Sequence, residues 1–282
     1  MRIRIPMRIL IGGLIALALA VLFWGVLPSA RAAGGTATLT VDLSGTWLRD
    51  ITVELWPTGA MTPKYVYGNQ HGAVRTYSVD SGTYDTVIRQ GAQTNKITGV
   101  DCATSLTCTA TVLTKTLTVD LAALPNTAWL RDITVELYTS ATTPTLIWAA
   151  GNQHGANRTY TVLAGKYDLK LREGPQVNSL SVDCGAEGAL TCSATVPKRT
   201  LTVDLSGTWL RDITVELYPQ GNTTPIWAAG NQHGANRTYT VLAGKYDLKL
   251  REGPQVNSLS VDCGAEGALT CSATVPKRTL TV

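Results

Sequence analysis

Histidine, tryptophan and cysteine supply the side chains of this 282-residue chain whose chemistry could define a site. His71, His154 and His233 each stand in a Gly-Asn-Gln-His-Gly string. A histidine beside two carboxamides could contact sugar hydroxyls or act as a base. No nucleophile or orienting carboxylate lies near it in sequence, and Gly-Asn followed by His-Gly is favourable turn chemistry, so a turn is the expectation. Trp47, Trp129 and Trp209 open three Trp-Leu-Arg-Asp strings. Exposed, such a tryptophan would stack on a sugar; packed over the end of a domain, with Arg and Asp paired beside it, it would be structural. Trp148 and Trp227, matched by Tyr65, divide in the same way.

The six cysteines are Cys102, Cys108, Cys184, Cys192, Cys263 and Cys271. They allow fifteen pairings, of which the symmetry of the sequence favours 102 with 108, 184 with 192 and 263 with 271. Cys263 shares a strand face with Leu259 and Val261, and Cys271 with Ala273 and Val275, so both sulfurs are expected to face the core and staple the last hairpin of their unit. A loop this short is worth about 2.5 kcal/mol to the folded state on the chain-entropy account. A metal site joining two thiolates to a histidine is the rival. It lacks a second cysteine pair and any tight Cys-x-x-Cys spacing. No phosphate loop, zinc-protease helix, nucleophile elbow or paired-carboxylate motif occurs, so neither catalysis nor a cofactor is expected.

Every one of these residues recurs because the chain repeats. Trp-Leu-Arg-Asp-Ile-Thr-Val-Glu-Leu begins at Trp47, Trp129 and Trp209, and residues 147–203 are identical to 226–282. The period is close to eighty residues, three times over. Thr-Leu-Thr-Val ends at Val41, Val119, Val203 and Val282, so three units are flanked by four copies of one strand, and a longer array is the expectation. The expected organisation is a leader at 1–32, units at 36–115, 116–199 and 200–278, and the first strand of a further repeat at 279–282.

Within the third unit apolar and polar residues alternate, as in half-buried strands, and no helical period with caps appears. Strands are expected at 200–205, 212–219, 225–230, 236–242, 244–251, 257–263 and 270–275. Seven short strands per unit predict an all-β chain, a tandem array of three small antiparallel β-sandwiches. Each is small enough to need support beyond its own core.

The leader explains the charge. Arg2, Arg4, Arg8 and Arg31 are its only ionisable residues, and without them the remaining 20 basic and 20 acidic residues cancel. A neutral body has no electrostatic reason to bind nucleic acid. Arg2 to Arg8, an apolar run from Ile9 to Leu27 and Ala30-Arg31-Ala32 predict a signal peptide, or an uncleaved anchor that would be the only membrane contact. Either exports the cysteines to an oxidising compartment, extracellular or at the cell surface.

The segments Asp212 to Gly221 and Arg237 to Gly253 resemble the transthyretin-like sandwich modules of bacterial surface proteins and of the carboxypeptidase regulatory domain. The corresponding parts are Val215 to Leu217, the aromatic strand around Tyr239, and the turn Ala243-Gly244-Lys245-Tyr246, with Ser81-Gly82-Thr83-Tyr84 in the first unit. The cysteine pair and the histidine string depart from that pattern. The resemblance implies a stalk, spacer or adhesive module, usually without catalysis, and no particular ligand; the expected partner is a surface glycan or protein. Two rival readings are a multivalent carbohydrate-binding protein and the accessory modules of a larger secreted enzyme.

Overall fold

The computed structural model describes residues 35–44, 50–122, 133–153, 155–186, 188–206, 212–232, 234–265 and 267–277. The leader, Trp47, Trp129, Trp209, His154, His233 and the 279–282 strand lie outside these residues. What is described is all strand and turn, with no helix.

The first unit contains β1 (Thr36–Asp42), β2 (Ile51–Pro57), β3 (Tyr65–Gln70), β4 (Val74–Asp80), β5 (Thr83–Gln90), β6 (Gln93–Asp101) and β7 (Thr107–Ala110). The second contains β8 (Thr114–Val119), β9 (Ile133–Thr139), β10 (Leu146–Ala150), β11 (Arg158–Leu163), β12 (Lys166–Glu173), β13 (Gln176–Asp183) and β14 (Thr191–Ala194). The third contains β15 (Lys198–Asp204), β16 (Ile213–Pro219), β17 (Trp227–Gln232), β18 (Asn236–Leu242), β19 (Lys245–Glu252), β20 (Gln255–Asp262) and β21 (Thr270–Thr274). Each unit places a four-stranded sheet, ordered β3-β2-β5-β6 in the first, against a three-stranded sheet, ordered β4-β1-β7.

The two-residue period decides which side chains lie between the sheets. Leu39 and Val41 of β1 face Ile51, Val53, Leu55 and Ile88 of the other sheet, and all six are fully buried. One pairing departs from the antiparallel rule. The first and last strands of each unit run parallel, with Leu39 opposite Cys108, Leu117 opposite Cys192 and Leu201 opposite Cys271.

The strand orders put β3 and β4 on one side of the sandwich and β6 and β7 on the other. On the first side the Tyr67 and Tyr77 rings stack at 4.2 Å across the gap, and Trp227 meets Tyr239 at 4.3 Å in the third unit. Trp227 is buried and Trp148 half-buried. On the second side a disulfide closes the gap: Cys102 is bonded to Cys108, Cys184 to Cys192 and Cys263 to Cys271. The expected hairpin staple is corrected here. β6 and β7 belong to opposite sheets, so each bridge ties sheet to sheet, which alternation alone could not reveal because it fixes a strand's face and not its partner.

Only Thr111 to Leu113 separate β7 from β8, and the units interlock at this short passage. Leu163, at the end of β11, is fully buried within the hydrophobic cluster of the first unit. Leu242, at the end of β18, is fully buried within that of the second.

Candidate functional site

Around His71 the chain crosses from one sheet to the other. The β2–β3 register shifts between Ile51 and Val53 and the β16–β17 register between Ile213 and Val215, and Asn69 and Asn231 take φ of 53° at the bulges this creates; Asn152, just past the end of β10, takes the same φ. Asparagine tolerates that left-handed conformation better than most residues. Gln70 and Gln232 donate from Nε2 to the carbonyls of Gly68 and Gly230 at 2.7 and 2.8 Å. Tyr77 donates its hydroxyl to Gln70 Oε1 at 3.2 Å, and Arg75 donates to the His71 carbonyl at 3.0 Å. The asparagine, glutamine and backbone of the string are thus engaged in holding a turn, and the exposed His71 ring projects from it.

His71 lines a shallow cleft with Asp50 and with Leu146, Ile147, Trp148 and Ala149 of β10 in the next unit. Asp50 and Trp148 were not expected here. Asp50 takes a φ of 50°, as does Asp212, at 52°, at the same place in the third unit. An imidazole, a carboxylate and an indole on one open cleft could hold a hydroxylated ring by stacking and hydrogen bonding. Nothing in the cleft is a nucleophile. The six sulfurs are bonded to one another, which removes the thiolates that a metal site would need. Among the described residues, no three of His, Cys, Asp and Glu come together as a metal cluster.

The outer face of the four-stranded sheet carries the most regular electrostatic feature. Arg89, Arg172 and Arg251 donate from Nε to Glu54, Glu136 and Glu216 at 2.8, 2.7 and 3.0 Å. The neighbouring aromatic, Trp56, Tyr138 or Tyr218, donates to the other carboxylate oxygen at 3.0, 2.9 and 2.8 Å. Arg89 holds the Glu54 carboxyl below its ordinary range. These are three copies of a structural ladder, each carboxylate satisfied on both oxygens, with no acid or base left poised for proton transfer.

The densest buried polar chemistry lies at the junctions between units. The β5–β6 hairpin of the first unit presses on the β11–β12 turn of the second. There Gln93 donates to the Lys166 carbonyl, and Asn95 donates to that of Ala164 at 3.4 Å. A Cβ on Gly165 would overlap the Gln93 carboxamide, so glycine is needed for this close approach. The second junction repeats the arrangement. Gln176 donates to the Lys245 carbonyl, a Cβ on Gly244 would overlap the Gln176 carboxamide, and the Tyr246 hydroxyl lies 3.3 Å from Glu173. Asn95 and Glu173, two of the few buried polar residues of the described chain, belong to these contacts, and a Cβ on Gly91 of the first unit would press on the buried Thr139 of the second.

No family model and no curated protein matches the sequence. Among solved structures, the Bacillus anthracis TIE protein is similar over 85% of this chain and 50% of its own, at 11% identity and a TM-score of 0.25. The pilus adhesin SpaC from Lactobacillus rhamnosus GG is similar over 85% of this chain and 42% of its own, at 11% identity and a TM-score of 0.24. A leucine-rich repeat protein from Bacteroides thetaiotaomicron is similar over 58% of this chain and 26% of its own, at 16% identity and a TM-score of 0.19. The chain spans half or less of the length of each. Likeness at this level assigns neither ligand nor family, the transthyretin-like family included.

Proposed function

We propose that the chain is an exported, non-catalytic repeat segment that acts as a stalk or adhesive spacer at the cell surface. The observation that carries this reading is the pair of interlocked junctions between disulfide-closed sandwiches, Leu163 seated in the first unit and Leu242 in the second. Units joined by buried leucines and a three-residue passage transmit load and hold distance, whereas flexibly linked binding modules would not. Three disulfides suit an oxidising compartment. The transthyretin-like resemblance is supported by its parts: Val215 to Leu217 fall in β16, Tyr239 in β18, and Ala243-Gly244 between β18 and β19.

The test is surface biotinylation of intact producing cells, followed by mass measurement of the recovered chain with and without reductant. The expected result is a labelled chain with three intact bridges. A chain found only inside the cell, with its thiols free, removes the proposal.

A second reading has one observation in its favour, the cleft that gathers Asp50, His71 and Trp148. There the chain would bind a carbohydrate weakly, and repetition would raise avidity. A glycan array with the parent chain and with His71→Ala and Trp148→Ala decides it. No retained glycan, or retention indifferent to both changes, rejects it.

A further inference from the structure

We infer that the exposed end of the third unit is a socket for a further sandwich unit of the same kind, one that presents leucine where Leu163 and Leu242 stand. We further infer that Asp80 keeps the first unit of another copy out of it. The inference rests on the junctions alone and holds whether or not the chain is a surface stalk.

The socket is recognised by comparing one sequence in two places. Glu173-Gly174-Pro175-Gln176-Val177-Asn178 forms the hairpin tip of the second unit, and Glu252-Gly253-Pro254-Gln255-Val256-Asn257 repeats it residue for residue in the third. In the second unit this surface holds the Leu242 turn, with Glu173 at 1% exposure and Gln176 bonded to the Lys245 carbonyl. In the third unit Glu252, Gln255, Val256 and Asn257 are all exposed among the described residues. At Gly174 a Cβ would press on Asn222 and Pro219 of the next unit, while at Gly253 it would meet nothing. Identical chemistry, filled in one place and exposed among the described residues in the other, identifies the occupant: a unit bearing the Leu-Ala-Gly-Lys-Tyr turn, as in 242–246.

The first unit does not meet that description. Aligned on Arg75, Arg158 and Arg237, the leucine position is occupied by Asp80, followed by Ser81-Gly82-Thr83. The Asp80 carboxylate is exposed and paired with Lys64. A Cβ on Gly82 would meet only the ring of Tyr84 in its own unit. Seating Asp80 in the socket would strip a carboxylate of water in an apolar pocket. The third unit therefore carries a surface shaped to receive a unit, and the first unit carries a turn that this surface repels.

The test uses the whole chain. The variant Asp80→Leu/Ser81→Ala/Thr83→Lys gives the first unit the turn that units two and three present. Its weight-average mass in light scattering should climb with concentration through whole multiples of one chain, while the parent stays a single chain. Adding Gln255→Lys and Asn257→Lys, both at exposed positions, should return the variant to single chains. A second readout does not depend on association in trans: a chain lengthened by a fourth copy of 200–277. Its amides at Gly253, Gln255, Val256 and Asn257 should exchange with solvent about ten-fold or more slowly than in the parent. A variant that is folded and remains a single chain overturns the inference. So do oligomers that survive the Gln255 and Asn257 changes, or a fourth copy that leaves exchange unaltered.

Discussion

The hydroxyl of Tyr246 lies 2.8 Å from the carbonyl of Leu242 in its own unit and 3.3 Å from the carboxylate of Glu173 in the unit before it. Both side chains are buried. The phenol keeps the Leu242 carbonyl as a partner within its own unit, whereas its contact with the buried Glu173 carboxylate exists only while the two units stay docked. Tyr167 makes the same bond to the Leu163 carbonyl at 2.7 Å in the second unit, where Gln90 stands in place of the glutamate.

Truncating a junction leucine should loosen the array without unfolding the unit that carries it. Leu242→Ala removes a fully buried side chain from the core of the neighbouring unit, a change that costs about 2–5 kcal/mol in well-packed interiors. Calorimetry should then resolve the single melting transition into two. Asp80→Ala, at the equivalent exposed position, should leave the melting profile alone. An unsplit transition in Leu242→Ala rejects the interlock.

The bridges close one side of each sandwich, so their loss should be felt between sheets. Cys263→Ser/Cys271→Ser opens a loop of sequence separation 8. Chain entropy assigns such a loop about 2.5 kcal/mol. Urea denaturation of parent and variant should show a loss of that order. A variant as stable as the parent would mean that the thin core suffices unaided.

Much of the fold was legible because its strands are half-buried and short. Residues 236–242 were expected as a strand and form β18 over the same span, and 212–219 differs from β16 by one residue. The expected strand at 257–263 begins two residues earlier, since Gln255 and Val256 extend the hairpin at a tip where no burial pattern marks them. The parallel pairing of β1 with β7 was not legible, because a partner some seventy residues away leaves no local signature. The junction was half-legible. That Asp80 replaces Leu163 and Leu242 is visible from the repeats, but only docking shows that the leucine enters another unit's core. The cleft at His71 was missed for the same reason: Asp50 and Trp148 are distant in sequence and meet across a junction.

Thr86 sits fully buried where the other units carry Leu169 and Leu248, and its hydroxyl has no hydrogen-bond partner. Burying an unpaired hydroxyl costs about 1–3 kcal/mol, and valine keeps the shape without the cost. Thr86→Val should therefore raise the stability of the first unit by about 1 kcal/mol, read as a higher urea midpoint with unchanged slope. A lower midpoint would show that the hydroxyl is needed.

Alkaline pH should attack each of the three sandwiches through buried tyrosines, among them the one at the same place in every unit. Burial pushes the hydroxyls of Tyr77, Tyr160 and Tyr239 up to about 12, partly offset by Arg75, Arg158 and Arg237 beside them. An unfolded tyrosine ionises near about 10, so the folded state favours the neutral phenol. That preference is fully present below about pH 10 and is lost as pH rises through about 12, where the unfolded chain has already released its protons. Ultraviolet titration should show an early group of tyrosines near their ordinary value and a late group that ionises together with the loss of near-ultraviolet circular dichroism. Replacing Tyr77, Tyr160 and Tyr239 by phenylalanine should shrink the late group, in which Tyr167 remains because burial raises its hydroxyl as well, and move alkaline unfolding to higher pH. Should all tyrosines ionise in one early step with the dichroism intact, these rings do not lie between the sheets as described, and the stacking of Tyr67 on Tyr77 fails with them.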